Sequence, residues 1–259
     1  MVMENINQGK VVFVTGGAFG IGRAIVLGFA KAGYDVAFSY RGSVEGAKEV
    51  EHEVRKMNRK VFCVQADLSK SSDIDNMFSA FSQHFDRLDV FINNAGVTEK
   101  SFFTETTEEI FDKVCNVDFK GAYFCSQKAA NFMIERKIEG NIIMISSNNA
   151  IAHFAEVSVY ATMKAAMNKM AEHMAIELAK HKIRVNTIAP GWTDTGATRL
   201  DAKEDTYYKI PLGKWVEMSE IADTALFLSS PSAKSITGAT IVMDNGATLV
   251  SDKRERYGF

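Results

Sequence analysis

The sequence predicts an α/β fold: a doubly wound, parallel, seven-stranded sheet with helices on both faces. Three observations predict it. Short β-branched or aromatic runs alternate with longer amphipathic ones along the chain. Several short runs are apolar almost throughout, as parallel strands covered on both faces are. The first of them passes directly into a glycine-rich turn that opens a helix. Strands are expected at Val11–Val14, Val36–Tyr40, Val61–Val64, Val90–Asn93, Ile142–Ser146, Val185–Ala189 and Thr240–Met243. Helices are expected over 21–33, 44–57, 72–85, 107–136, 158–181 and 219–229. In such sheets ligands bind beyond the carboxyl ends of the strands, so the residues just after each strand carry the functional reading.

Composition narrows the classes. The 259 residues are 46% hydrophobic and 24% charged, enough to bury a large core in one domain spanning 1–259. Only 3 prolines and no low-complexity tract leave no obvious linker. A net charge of −2 gives no basic footprint for nucleic acid or an anionic membrane. Cys63, Cys115 and Cys125 form an odd, scattered set that fits reduced thiols in a cytoplasmic protein. Glu4 and the lack of an early apolar stretch argue against a signal peptide, and no run is long enough to span a bilayer. The five histidines form no metal-like cluster with the cysteines, so no metal is expected.

After the first strand, Gly16, Gly20 and Gly22 give the spacing G-x-x-x-G-x-G through Phe19 and Ile21. Absent Cβ atoms let the backbone turn tightly and approach a ligand. The following helix offers N–H groups and a dipole that favour a pyrophosphate. The pattern points to a dinucleotide.

The second strand ends Phe38-Ser39-Tyr40-Arg41-Gly42-Ser43, with no acid to grip both ribose hydroxyls of NAD; the nearest, Glu45, comes later. Arg41 suits a 2′-phosphate, so NADP(H) is favoured, with NAD(H) left open and a solvated surface arginine as the bland reading. After the third strand, Asp67 and Leu68 stand where an acid can accept from an adenine amino group; a turn or helix-capping aspartate accounts for Asp67 equally well. Asn93-Asn94-Ala95-Gly96 ends the fourth strand, with amides able to bridge backbone groups and small residues leaving room for a ribose. Ser146 and Ser147 end the fifth, and Tyr160-x-x-x-Lys164 follows on a helix.

These residues together resemble the short-chain dehydrogenase/reductase family in its compact, single-domain, Rossmann-type form. The resemblance rests on Thr15–Gly22, Asn93–Gly96, Asn116, Ser147, Tyr160-x-x-x-Lys164 and Pro190-Gly191, in order, and covers nearly the whole chain. Bacterial glucose dehydrogenases and 3-oxoacyl-carrier-protein reductases are closest in flavour. It implies a catalytic tetrad of Asn116, Ser147, Tyr160 and Lys164. It also implies cofactor contacts from Gly16, Phe19, Ile21, Asp67, Leu68 and Asn94, and a nicotinamide end held by Pro190, Gly191, Thr193 and Thr195. Two departures stand out: Asp244-Asn245-Gly246 where relatives usually have Asp-Gly-Gly, and Trp192-Thr193 after Pro190-Gly191.

Chemistry follows from the types. Residues i and i+4 share a helix face, so Lys164 stands beside Tyr160. A nearby ammonium favours phenolate, fitting Tyr160 for acid–base work on a carbonyl or alcohol. Ser147 would hydrogen-bond the same oxygen. By resemblance, Lys164 also grips the nicotinamide ribose and Asn116 holds a relay water. The expected activity interconverts a carbonyl and a secondary alcohol with NADP(H). Sugar 1-dehydrogenase and 3-oxoacyl-thioester reductase are the alternatives within the class, and an NADP(H)-sensing binding protein the alternative outside it. Residues 193–215 would form a lid, in which Arg199 and Lys203 would attract an anionic substrate. Small residues along the Tyr160 helix fit either core or a subunit interface, and the resemblance favours a homotetramer.

Overall fold

A computed structural model describes residues 7–195 and 210–250. Seven strands alternate with seven α-helices among these residues. They are β1 (Val11–Val14), α1 (Gly20–Lys31), β2 (Asp35–Tyr40), α2 (Val44–Lys56), β3 (Val61–Gln65), α3 (Ser71–His84) and β4 (Val90–Asn93). There follow α4 (Glu108–Val114), α5 (Ala122–Glu135), β5 (Asn141–Ile145), α6 (Ser158–Leu178), β6 (Arg184–Pro190), α7 (Met218–Ser229) and β7 (Thr240–Met243). Every expected strand forms, within one residue at each end.

The strands make one sheet in the order β3-β2-β1-β4-β5-β6-β7, and every pairing is parallel. Val14, the last residue of β1, pairs with Phe38 on one side and Ile92 on the other, so β2 and β4 run slightly past the end of β1. The order reverses beside β1. That opens a crevice at the carboxyl ends of β1 and β4, where doubly wound sheets hold ligands.

Two apolar layers sandwich the sheet, as the unbroken strand runs require. On one face α3, α5 and α6 pack over Phe13, Phe91, Ile142 and Val185. Phe13 lies in an aromatic cluster, stacked on Phe81 at 4.9 Å and edge-on to Phe91 at 5.9 Å. On the other face α1, α2 and α7 cover Val12, Val14, Val36, Phe38 and Ile188. No helix among the described residues is long and apolar enough to cross a membrane.

One expected helix is three pieces. The run over 107–136 passes from α4 through a π-helical turn, Cys115–Gly121, into α5. A wider turn keeps the same amphipathic pattern on average, which is why periodicity reads it as one helix. Such insertions concentrate at functional sites.

Asp244-Asn245-Gly246 keeps its turn despite the departure in sequence. Asn245 and Gly246 both take positive φ, at 56° and 87°, and asparagine tolerates that region better than most residues. The buried Asp244 carboxylate accepts from Gly246 N at 3.0 Å and Thr248 N at 2.7 Å. That closes the turn after β7.

Candidate active site

The turn after β1 is built by close backbone approach. Gly16 has φ +69°, and a Cβ there would meet Ala95 Cα at 3.1 Å. A Cβ on Gly22 would stand 2.1 Å from the Gly16 carbonyl oxygen. No larger residue fits either place without moving the backbone. Asn94 fastens the loop from across the crevice, its Nδ2 donating to Thr15 O at 2.9 Å and Gly16 O at 3.2 Å. Thr15 Oγ1 returns the connection by accepting from Asn94 N and Ala95 N. The buried neighbour Asn93 instead donates inward, to Ala122 O at 2.7 Å. The two amides thus bridge backbone groups, one towards the site and one into the core.

Phe19 precedes α1 in extended conformation and has no side-chain oxygen to cap it. The helix N-terminus keeps its partial positive charge for something else. It opens into a cavity of about 580 Å³ lined by Gly16, Phe19, Gly20, Ile21, Gly22, Arg41, Asp67, Leu68, Asn94, Ala95, Gly96, Tyr160, Lys164 and Thr195. The structure brings together nearly all the sequence-predicted cofactor residues here. Among the described lining residues the only carboxylate is Asp67. Its Oδ1 accepts from Ser69 N at 3.1 Å and Ser69 Oγ at 2.8 Å, which holds it below the usual carboxylate range. The turn-capping role is therefore real, and the same residue also faces the cavity. Arg41 is exposed at the mouth, its carbonyl held by Gln65 Nε2 at 2.8 Å. The nearest acid after β2, Glu45, is engaged by Lys48 at 2.9 Å.

A second cavity of about 650 Å³ adjoins the first. Its lining includes Ser147, Asn148, Asn149, Phe154, Pro190, Gly191, Trp192, Thr193 and Trp215. Pro190, Gly191 and Thr193 thus face this cavity and not the first, and the Thr193 hydroxyl is donated to its own turn, to Gly191 O at 3.0 Å. Phe154 and Trp192 meet edge to face at 5.5 Å, so the bulk at position 192 forms part of this wall. Tyr160, Ile21 and Thr195 line both cavities.

Three of the four expected catalytic residues converge where the cavities meet. Ser147 is buried at the end of β5, and its Oγ accepts from Asn149 N at 3.2 Å and Asn149 Nδ2 at 3.0 Å. With its lone pairs engaged, the Ser147 hydroxyl proton is the group left to offer. Lys164 is 3% exposed, and its Nζ donates to Ile145 O at 3.2 Å. The ammonium lies 5.5 Å from the centre of the Tyr160 ring.

Asn116 is not brought there. It sits on the π-helical turn and lines neither cavity. The turn instead presents Val117 to the first cavity and sends Asp118 to Lys164, with Oδ2 at 3.2 Å from Nζ. Asp118 is fully buried, and its Oδ1 accepts from Val97 N at 2.7 Å. Burial by itself drives Lys164 to shed its proton; the Asp118 charge, then Tyr160, outweigh it and raise the lysine above its usual range. Sequence reading missed Asp118 and Ser39, whose Oγ accepts from Gly16 N at 3.4 Å, and it placed Asn149 towards substrate without its contact to Ser147. The only signal for Asp118 was an acid inside an otherwise apolar helix face. No group of His, Cys, Asp and Glu that could hold a metal occurs among the described residues.

Residues 16–248 match a family model described as "Enoyl-(Acyl carrier protein) reductase". The chain is 34% identical over 240 residues to the 3-oxoacyl-[acyl-carrier-protein] reductase FabG of Staphylococcus epidermidis, covering 92% of this chain and 98% of that one. It is 36% identical over 241 residues to FabG of Staphylococcus aureus, covering 92% and 97%. Among solved structures, a short-chain dehydrogenase/reductase from Serratia marcescens superposes with a TM-score of 0.89 at 33% identity, over 93% of this chain and 99% of that one. The acetoin dehydrogenase YohF of Salmonella typhimurium superposes with a TM-score of 0.86 at 29% identity, over 94% and 98%. A nucleotide-type cleft at the sheet's switch point, a tyrosine and lysine one helical turn apart, and relatives over almost the full length agree: the chain is an oxidoreductase of the short-chain dehydrogenase/reductase family.

Proposed function

We propose that the enzyme interconverts a carbonyl and a secondary alcohol with NADP(H), using Tyr160 as the acid and base. The observation that carries this is the position of Tyr160, which lines both cavities beside buried Lys164 and Ser147. A group there reaches a substrate in one cavity and a cofactor in the other. Glycines that no Cβ could replace, and an N-terminus without a side-chain cap, fit a dinucleotide pyrophosphate in the first cavity.

The nicotinamide, when bound, supplies or takes the hydride. The protein's own part is to place and move a proton. In reduction, Tyr160 gives its hydroxyl proton to the carbonyl oxygen as charge develops there; in oxidation, the phenolate takes it from the alcohol. Ser147 donates a hydrogen bond to that oxygen, its orientation set by Asn149. Of the three Lys164 donors, one serves Ile145 O, one faces Asp118, and the third remains for the cofactor ribose. Asn116 receives no step, since its side chain faces neither cavity.

NADP(H) is favoured because Arg41 stands at the mouth with no acid from the end of β2 beside it. A 3-oxoacyl thioester is the substrate class that the FabG relatives point to. Asn148, Asn149 and Glu156 in the second cavity favour a polyol or sugar as the second reading. The polypeptide is proposed to work in the cytoplasm as a homotetramer, for which the exposed Phe111, Tyr123 and Phe124 offer apolar surface. The proposed lid, 193–215, falls largely on 196–209, outside the described residues, as do Arg199 and Lys203. Tyr160→Phe is expected to abolish carbonyl reduction while leaving NADPH binding, read by nicotinamide fluorescence, nearly intact. Normal turnover by that variant would assign the proton transfer to another group.

A further inference from the structure

We propose that Asp118 is a positioning residue for the reaction: its buried carboxylate is the counter-ion that keeps Lys164 charged and fixed beneath Tyr160. The proposal rests on the role just given to Tyr160 and Lys164.

Four observations carry it. Asp118 and Lys164 are both buried, at 0% and 3% exposure, so water screens their charges only weakly. Their 3.2 Å contact is the only ion pair among the described residues in which both partners are buried. Asp118 Oδ2 accepts no well-aligned hydrogen bond, so charge attraction is the larger part of its hold on Lys164. Gly96 supplies the room: a Cβ there would stand 2.8 Å from Asp118 Oδ2 and 3.3 Å from Lys164 Nζ. Together they describe a built site, with the π-helical turn delivering the acid.

The surroundings leave Asp118 without a substitute. Tyr160 is the other group whose charge acts on Lys164. From β5 the ammonium meets a neutral carbonyl, Ile145 O. Glu108, Glu109, Asp112 and Lys113 of α4, and Lys120 of the π-helical turn, are exposed. On α5, Lys128 pairs with Asp75, and burial pushes the Cys125 thiol up to about 12, keeping it neutral.

The sign follows directly. A negative charge beside an ammonium makes its proton harder to remove. Without Asp118, burial prevails and Lys164 loses its proton at lower pH. Reduction needs the ammonium on the ribose and a phenol proton on Tyr160. Loss of one proton from the coupled pair ends activity, so the alkaline limb of the pH profile reports the pair.

Asp118→Asn keeps size and an acceptor for Val97 N while removing the charge. NADPH affinity by nicotinamide fluorescence and reduction of acetoacetyl-CoA would be followed from neutral to high pH, with melting temperatures alongside. In the variant both alkaline limbs are expected to move down by about one pH unit or more. Limbs that stay in place in a folded variant would reduce Asp118 to a brace for Val97 N and overturn the proposal. Should Asp118→Asn fail to fold, Gly96→Ala, which wedges Asp118 from Lys164, carries the test: a downward shift supports the pair and an unmoved limb refutes it. Tyr160→Phe separates the two ideas. If it is inert while the Asp118→Asn limbs do not move, only this proposal fails; if it turns over normally, the parent reading fails. Without turnover of acetoacetyl-CoA, the binding limb decides alone.

Discussion

Arg41 stands at the mouth of the dinucleotide cleft, exposed and with no ion pair among the described residues; its backbone carbonyl is anchored by Gln65 while its side chain meets solvent. A guanidinium in that position matches a phosphate monoester by charge and by planar donor geometry. Arg41→Ala is expected to weaken NADPH tenfold or more, about 1.4 kcal/mol, and to leave NADH nearly unchanged. Fluorescence titration of both cofactors checks it, and equal losses for the two would move Arg41 from phosphate recognition to general packing. Most residues of the cleft were legible at this scale, because glycines and amides have few other reasons to stand directly after parallel strands. The role of Asp67 was not. An aspartate at a strand end caps a turn or faces a ligand with the same sequence, and only its bonds to Ser69 show the capping.

The glycine turn and the π-helical turn are the two elements that make the cleft work, and they differ in how they can be read. A missing Cβ is written in the sequence. At Gly22 it is required by the 2.1 Å approach to Gly16 O. Gly22→Ala is expected to abolish NADPH binding and to lower the melting temperature of the apo-protein, since the loop and α1 must part to admit one methyl. Unchanged binding in a folded variant would show that the turn tolerates what its geometry forbids. The π-helical turn, in contrast, is invisible to periodicity. Residues 107–136 keep an amphipathic average through it, while the wide turn rotates everything that follows. Asn116, the expected member of the tetrad, is thereby left outside the cavities, and Asp118 is carried under Lys164. An error of two residues along the chain becomes a change of chemistry, from a neutral amide to a buried charge.

Across the whole molecule, the reversal of strand order beside β1 sets where everything meets. Loops after β1, β2, β3 and β4 supply most of the first cavity and those after β5 and β6 most of the second, and Tyr160 on α6 spans the seam. The outer faces bear on assembly. Phe111 on α4, with Tyr123 and Phe124 on α5, leave aromatic surface exposed at 45%, 45% and 37%. For a homotetramer built through these helices, sedimentation is expected to give four chain masses, and Tyr123→Glu with Phe124→Glu to reduce that mass. A monomer in the unmodified protein would exclude this assembly.

By itself the sequence determined the sheet, its parallel pairing, the dinucleotide turn and the pairing of Tyr160 with Lys164. Each is a local matter: apolar runs of strand length, glycines after a strand, and two residues one helical turn apart. Tertiary structure alone decided which groups oppose each other across the crevice. Trp192 walling the second cavity with Phe154, and Asp118 set against Lys164, join segments far apart in the chain or hidden by a shifted helical register. No local pattern encodes that distance or that rotation.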